Sequence, residues 1–174
     1  MSQDDFADAV RAWQGGDRHA FDALYDRVAP RLSAICRLLT RSEAEAEDLF
    51  QETWRKAVTR VHTLRDPAAF PDWIVAVARN LWRNEHARRR VALGDLARRK
   101  PMAREGGQDE GLSGLLVRDV LAGLSPGLRE AFVLYHLEGR SLRETARELD
   151  ATVWEVRDRL AKAQEALARR VKID

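Results

Sequence analysis

Cysteine is almost absent: Cys36 stands alone in 174 residues. One thiol excludes an internal disulfide and a multi-cysteine zinc site, and its apolar setting, LSAICRLL, marks it as a core residue. Long apolar runs are missing as well. None approaches the ~20 residues that span a bilayer, and the opening MSQDDFADAV is acidic where a secretory signal would be basic. The expectation is a cytoplasmic protein with no membrane insertion. The sequence also lacks a glycine-rich phosphate loop, an HExxH pair and a nucleophile motif. His62, Asp66, Glu85 and His86 are the only conceivable ligand or acid–base set, and they lack the spacing of a metal site. No catalytic residue, metal or cofactor is therefore expected, and the chain does not read as an enzyme.

Charge of one sign is not in excess overall, since the formal net charge is only +2. Its distribution is uneven. Residues 1–54 carry six basic and eleven acidic side chains, whereas residues 65–104 carry ten basic and four acidic. An acidic front half followed by a basic stripe suggests two different partner surfaces.

Strict alternation of apolar and polar residues is missing too, so no strand is expected, and the helical period runs almost throughout. The fold class is all-α. A first helix over Asp4–Trp13 ends at Gly15 and Gly16, and Asp17 can cap a second that reaches about Val28. Pro30 suits the first turn of a third helix through Leu39. Ser42 with Glu45 forms a capping box for a helix to about Val61, whose Leu49, Phe50, Thr53, Trp54, Ala57 and Val61 share a face. Asp48, Gln51 and Glu52 fall opposite. The turn HTLRDPAAFPD follows, broken by Pro67 and Pro71.

The next segment, WIVAVARNLWRNEHARRR, begins as a core helix and finishes in three arginines. Trp73, Ile74, Val77, Ala78 and Leu81 can be buried, while Arg79, Asn80, Arg83 and Asn84 line one side of a rigid helix, with Trp82 at its border. Solvent does not call for amides and an indole beside guanidinium groups, whereas bases and phosphates do.

From about Val91 to Ser113 the pattern fails, which reads as a flexible linker with at most one weak turn of helix. Helices over Leu115–Leu124 and from Pro126 to about Leu137 follow, then two more. Ser141 with Glu144 and Thr152 with Glu155 form capping boxes on either side of the short turn Asp150-Ala151. Leu142, Thr145, Ala146 and Leu149 fill one inner face; Val153, Val156, Leu160, Ala163 and Leu167 fill the other. This is a helix-turn-helix pattern, although helix pairs with short turns also occur without any DNA role. Its second helix points Trp154, Arg157, Asp158, Ala161 and Lys162 outward, where a major groove would lie; Trp154 borders Val153 and Val156 and could pack inward instead.

Taken in order, GDRHAFDALYDRVAPRL, EAEDLFQETWRKA, FPDWIVAVARNLWRNEHARRR and LSPGLREAFVLYHLEGRSLRETARELDATVWEVRDRLAKA closely resemble the two blocks of extracytoplasmic-function (group IV) sigma factors. The resemblance implies two helical domains, a sigma region 2 bundle over 1–92 and a region 4 helix-turn-helix over 114–174, joined by the linker 93–113. It implies a factor that binds core RNA polymerase, through the clamp coiled coil of the largest subunit and the flap of the second largest, and directs it to promoter DNA. Asp48, Gln51 and Glu52 would engage the clamp. Arg79, Asn80, Trp82, Arg83, Asn84 and Arg88 would take the melted minus-ten strand, with the loop His62–Phe70 holding an extruded base. Arg143, Thr152, Trp154, Arg157, Arg159 and Lys162 would take the minus-thirty-five duplex, and an anti-sigma factor would control the protein. Asp150, Trp154 and Asp158 depart from the glycine and small residues usual at those places in the family.

Overall fold

The computed structural model describes residues 3–93 and 112–171, with side chains over 5–89 and 117–169. Among the described residues every regular element is helical: α1 Gln3–Gln14, α2 Arg18–Leu39, α3 Glu43–Arg60, α4 Phe70–Leu93, α5 Leu112–Gly123, α6 Pro126–Phe132, α7 Leu142–Glu148 and α8 Val153–Val171. Two 3₁₀ turns, Val61–Thr63 and Pro67–Ala69, separate α3 from α4. No described helix is long and apolar enough to cross a membrane. The chain divides into two compact units, one of Met1–Cys36 with Ala44–Ala92, the other of Arg37–Glu43 with Leu93–Asp174.

In the first unit α1 stops at Gly16, which takes φ +97° while its N–H and that of Asp17 bond back to Trp13 and Ala12. Left-handed backbone here suits a residue without Cβ. Asp17 then caps α2, its carboxylate accepting from the His19 N–H at 2.9 Å. The expected break at Pro30 does not occur: α2 runs through it. An interior proline costs ~3 kcal/mol in a lone helix. Here Leu24, Val28, Leu32, Ile35 and Cys36 form one buried stripe on both sides of Pro30, and the proline ring faces solvent. Burial of that stripe outweighs the lost hydrogen bond. Cys36 lies inside the stripe, and burial, aided by the charge of Glu47, pushes its thiol up to about 12, so it is inert.

In the second unit Ala131, Ala146, Val156 and Leu160 form one core cluster, and Leu121, Leu124 and Ala163 another. Helix α8 contributes to both. The expected single helix from Pro126 to about Leu137 is α only to Phe132. Val133–Leu137 widens into a π turn, where the Glu138 N–H bonds five residues back to Val133 at 3.1 Å. Arg129 is fully buried, yet its guanidinium donates to the carbonyls of Leu121, Ala122 and Leu124 at 2.7, 2.7 and 3.2 Å. Carbonyls at and just beyond the end of α5 thus take up its donors, which is why a charge can stand in this core. The expected linker is shorter at both ends, because α4 persists to Leu93 and α5 begins at Leu112; the expected weak turn between them lies outside the described residues.

Candidate nucleic-acid and partner interfaces

Helix α3 separates its residues cleanly. Leu49, Thr53, Trp54 and Ala57 are buried, and the Thr53 hydroxyl donates to the Leu49 carbonyl at 2.7 Å, so the helix carries no unsatisfied hydroxyl into the core. Asp48 and Gln51 are exposed and Glu52 half-exposed on the opposite side. Gln51 donates to Glu47 at 2.7 Å, and Arg55 pairs with Glu52 at 3.2 Å. These are solvent-screened contacts that leave the face acidic and rich in acceptors. Val58, 50% exposed, borders the same face and adds an apolar contact point that its place in a polar stretch had hidden.

On α4 the helical phase corrects the expected DNA-facing set. Asn80, Arg83, Asn84 and Arg88 are exposed along one side, whereas Arg79 and Trp82 are each only 4% exposed. Arg79 and Trp82 fall in register with Val75 and Ala78, the buried stripe, so they turn away from solvent. The Trp82 ring stands edge-on to His86 at 4.6 Å. The terminal arginines also differ among themselves. Arg89 bonds Glu45 at 2.7 Å and Glu85 at 2.9 Å, contacts that hold its guanidinium above its ordinary pKa. Arg88 stays exposed.

The loop between α3 and α4 is well supported. Asp66 accepts from the Ala68 N–H at 3.1 Å, and Phe70 and Val61, at its two ends, are buried. His62, Thr63, Arg65 and Asp66 are exposed along its rim. Gln14, at the end of α1, donates its side-chain amide to the carbonyls of Val61 at 2.7 Å and Leu64 at 3.3 Å. Trp13 packs edge-on against Phe70 at 5.8 Å.

In the second unit both expected capping boxes form. Ser141 and Glu144 exchange hydrogen bonds at 2.8 and 3.3 Å, and Glu155 accepts from the Thr152 N–H at 2.7 Å while the Thr152 hydroxyl accepts from the Glu155 N–H at 3.2 Å. Asp150 turns the chain with φ +47°, and Ala151 bonds back to Ala146 at 2.9 Å. With Val156, Leu160 and Ala163 fixed in the core, the phase of α8 leaves Trp154 74% exposed, and Arg157, Ala161 and Lys162 exposed beside it. Trp154 is thus outside the core. Asp158, half-exposed, is bound by Lys162 at 2.6 Å. Arg143 is exposed on α7, and Arg159 is half-buried, its guanidinium 3.9 Å from where a Cβ on Gly127 would stand. Tyr135 and Leu137 leave an apolar patch on the π turn. Within the loop before α7, Arg140 pairs with Glu148 at 3.4 Å and lies 3.9 Å from the buried carboxylate of Glu138. The sequence pattern signals neither this cluster nor Gln14.

Comparison with known proteins covers both units. Residues 24–91 match the family described as Sigma-70 region 2, and residues 114–167 the family described as Sigma-70, region 4. The chain is 30% identical over 167 residues to the ECF RNA polymerase sigma factor SigM of Mycobacterium tuberculosis, covering 94% of this chain and 83% of that protein. It is 30% identical over 170 residues to the ECF RNA polymerase sigma factor BldN of Streptomyces coelicolor, covering 92% of this chain and spanning 63% of that protein. In fold it is similar to the sigma factor RpoE of Bartonella quintana, solved in complex with the anti-sigma factor NepR, with a TM-score of 0.69 at 24% identity over 88% of this chain and 98% of that one.

Proposed function

The chain belongs to the extracytoplasmic-function group of the sigma-70 family, and from that membership we propose that it joins core RNA polymerase and directs it to promoters. The first unit opens and reads the minus-ten element, and the second reads the minus-thirty-five element as duplex. As an alternative sigma factor it contributes recognition, and the bond-making chemistry belongs to the polymerase.

The observation that carries this reading is the pair of open faces on the first unit, an acidic and amide-bearing one on α3 and an amide and guanidinium one on α4. Asp48, Gln51 and Glu52 supply acceptors to a basic helix of the polymerase clamp. Asn80, Arg83, Asn84 and Arg88 supply donors to the phosphates and base edges of a separated strand. Arg79 and Trp82 act from behind that face, holding α4 in phase. The loop His62–Phe70 receives one unstacked base, for which stacking and hydrogen bonding return ~1–3 kcal/mol of the cost of unstacking.

On the second unit the N-terminus of α8, fixed by its capping box, enters the major groove with Trp154, Arg157 and Lys162, while Arg143 and Arg159 contact the flanking backbone. The patch of Tyr135 and Leu137 suits the polymerase flap. An anti-sigma partner covers these faces when the factor is idle; the complex formed by the Bartonella protein supports that view. Run-off transcription with core polymerase on a promoter library tests the whole reading: the chain should select a narrow promoter class, and no selection over core polymerase alone would refute it.

A further inference from the structure

Helix α1 lies entirely outside the stretch that matches region 2, which begins at residue 24. Its last residue nevertheless reaches the loop between α3 and α4, about fifty residues along the chain, by 2.7 and 3.3 Å hydrogen bonds to the carbonyls of Val61 and Leu64. Both acceptors are carbonyl oxygens, so only the NH₂ end of Gln14 can make the pair, and its orientation follows from chemistry. The Val61 carbonyl also takes the Leu64 N–H at 3.1 Å, which closes the first 3₁₀ turn. One amide therefore clips the first residue of that turn and the residue that follows it to α1, and Trp13 against Phe70 secures the far side of the loop.

We propose that Gln14 is a positioning residue for base capture, its amide presetting the His62–Phe70 loop in the conformation that receives an unstacked base of the opened promoter strand. This rests on the strand-opening role proposed above. The His62 and Thr63 rim is exposed and a 3₁₀ turn is short, so without a clip the loop would sample several conformations, and each base would bind at the cost of ordering it. With the clip, the order exists before the base arrives, and selectivity at that position rises.

The test uses the full chain with core polymerase and duplex promoters carrying 2-aminopurine at each non-template position of the minus-ten element in turn. Wild type should brighten at one position, marking the base that leaves the stack. Gln14→Glu keeps the shape, loses both donors and sets a carboxylate against two carbonyls; Gln14→Leu loses the donors without charge. Each should dim that signal and lower discrimination among the four bases there by about five- to thirtyfold, as loss of one or two satisfied hydrogen bonds implies. Discrimination in the minus-thirty-five duplex should hold, as should polymerase association. Unchanged discrimination in either folded variant overturns the proposal. So does a loss of thermal stability and polymerase association with base choice intact, the outcome of a merely structural role. Absence of any bright position in wild type would refute strand opening itself, a separate result.

Discussion

The ammonium of Lys162 lies 2.6 Å from the carboxylate of Asp158, one turn earlier on the open side of α8. The pair neutralises itself on the surface proposed for the major groove, beside Trp154 and Arg157. Removing the acid by Asp158→Ala should free Lys162 for a phosphate. Affinity for duplex DNA of any sequence should rise, and the slope of log K against log salt should steepen by about one. A salt titration of DNA binding checks it, and an unchanged slope shows that Lys162 never reaches the backbone. Stability should fall by no more than the ~0.3–0.5 kcal/mol of an exposed helix pair.

Reversal of charge on α3 should separate binding from folding. Asp48→Lys with Glu52→Lys puts two cations where acceptors are proposed to meet a basic helix, and neither residue is buried. Association with core polymerase should weaken roughly tenfold or more, while unfolding free energy moves by about 0.5 kcal/mol or less. Co-purification and thermal melting measure the two; undiminished association would move the clamp contact elsewhere.

Arg79 and Arg83 stand one turn apart on α4 and should fail differently. Arg79→Ala removes a buried side chain and should cost about 1–3 kcal/mol of stability. Arg83→Ala, at an exposed position, should cost no more than about 0.5 kcal/mol of stability, weaken binding to single-stranded promoter DNA, and flatten its salt dependence. Melting curves and strand-binding titrations on the two variants decide the assignment.

Trp154 offers an apolar ring to the groove. The apolar landmark there is the thymine methyl, worth ~0.8 kcal/mol, or about fourfold, when buried. Replacing thymine by uracil at one minus-thirty-five position should cost wild type that factor and cost Trp154→Ala nothing. Trp154→Ala should melt as wild type does, because the ring is already 74% exposed.

Acid should loosen the helix-turn-helix through its caps. Bonds from the Thr152 N–H and hydroxyl hold the Glu155 carboxyl below its ordinary 4.5, and the Ser141 side chain and N–H do the same for Glu144. A depressed pKa contributes stability above the ordinary value and loses it as pH falls through the folded one. Glu155→Gln keeps an acceptor at the cap without a titrating group, so its melting temperature should fall less than that of wild type as pH drops below 4.5. Parallel melts across that range read the difference directly.

Much of the fold was legible because its signals are local. The capping boxes at Ser141 and Thr152 each need only four residues, and both form. A local rule breaks the helix at Pro30, yet α2 continues because the restoring force is tertiary, an apolar stripe whose burial that rule does not weigh. Arg79 and Trp82 turn inward rather than to the open side, since an arginine inside an apolar register looks like a surface residue until the phase of Val75 and Ala78 is fixed. Trp154 could not be assigned from its neighbours alone; the core seats of Val156 and Leu160 decide which way it turns. Gln14 was invisible, since a glutamine closing a helix looks solvated and its acceptors lie far along the chain. The π turn after Phe132 has no compositional mark at all.

Asp150 holds φ +47° without being glycine. Side chains other than glycine pay roughly 1 kcal/mol or more for that backbone, asparagine and aspartate least because a short polar group can bond locally. The set of residues permitted at this corner is therefore narrow. In a library randomised at position 150 and selected only for a folded second unit, glycine, asparagine and aspartate should dominate, and β-branched residues should vanish. Drift at this corner should run mainly among an acid, its neutral amide and a residue with no side chain, so the electrostatic character of the turn can change while its path does not.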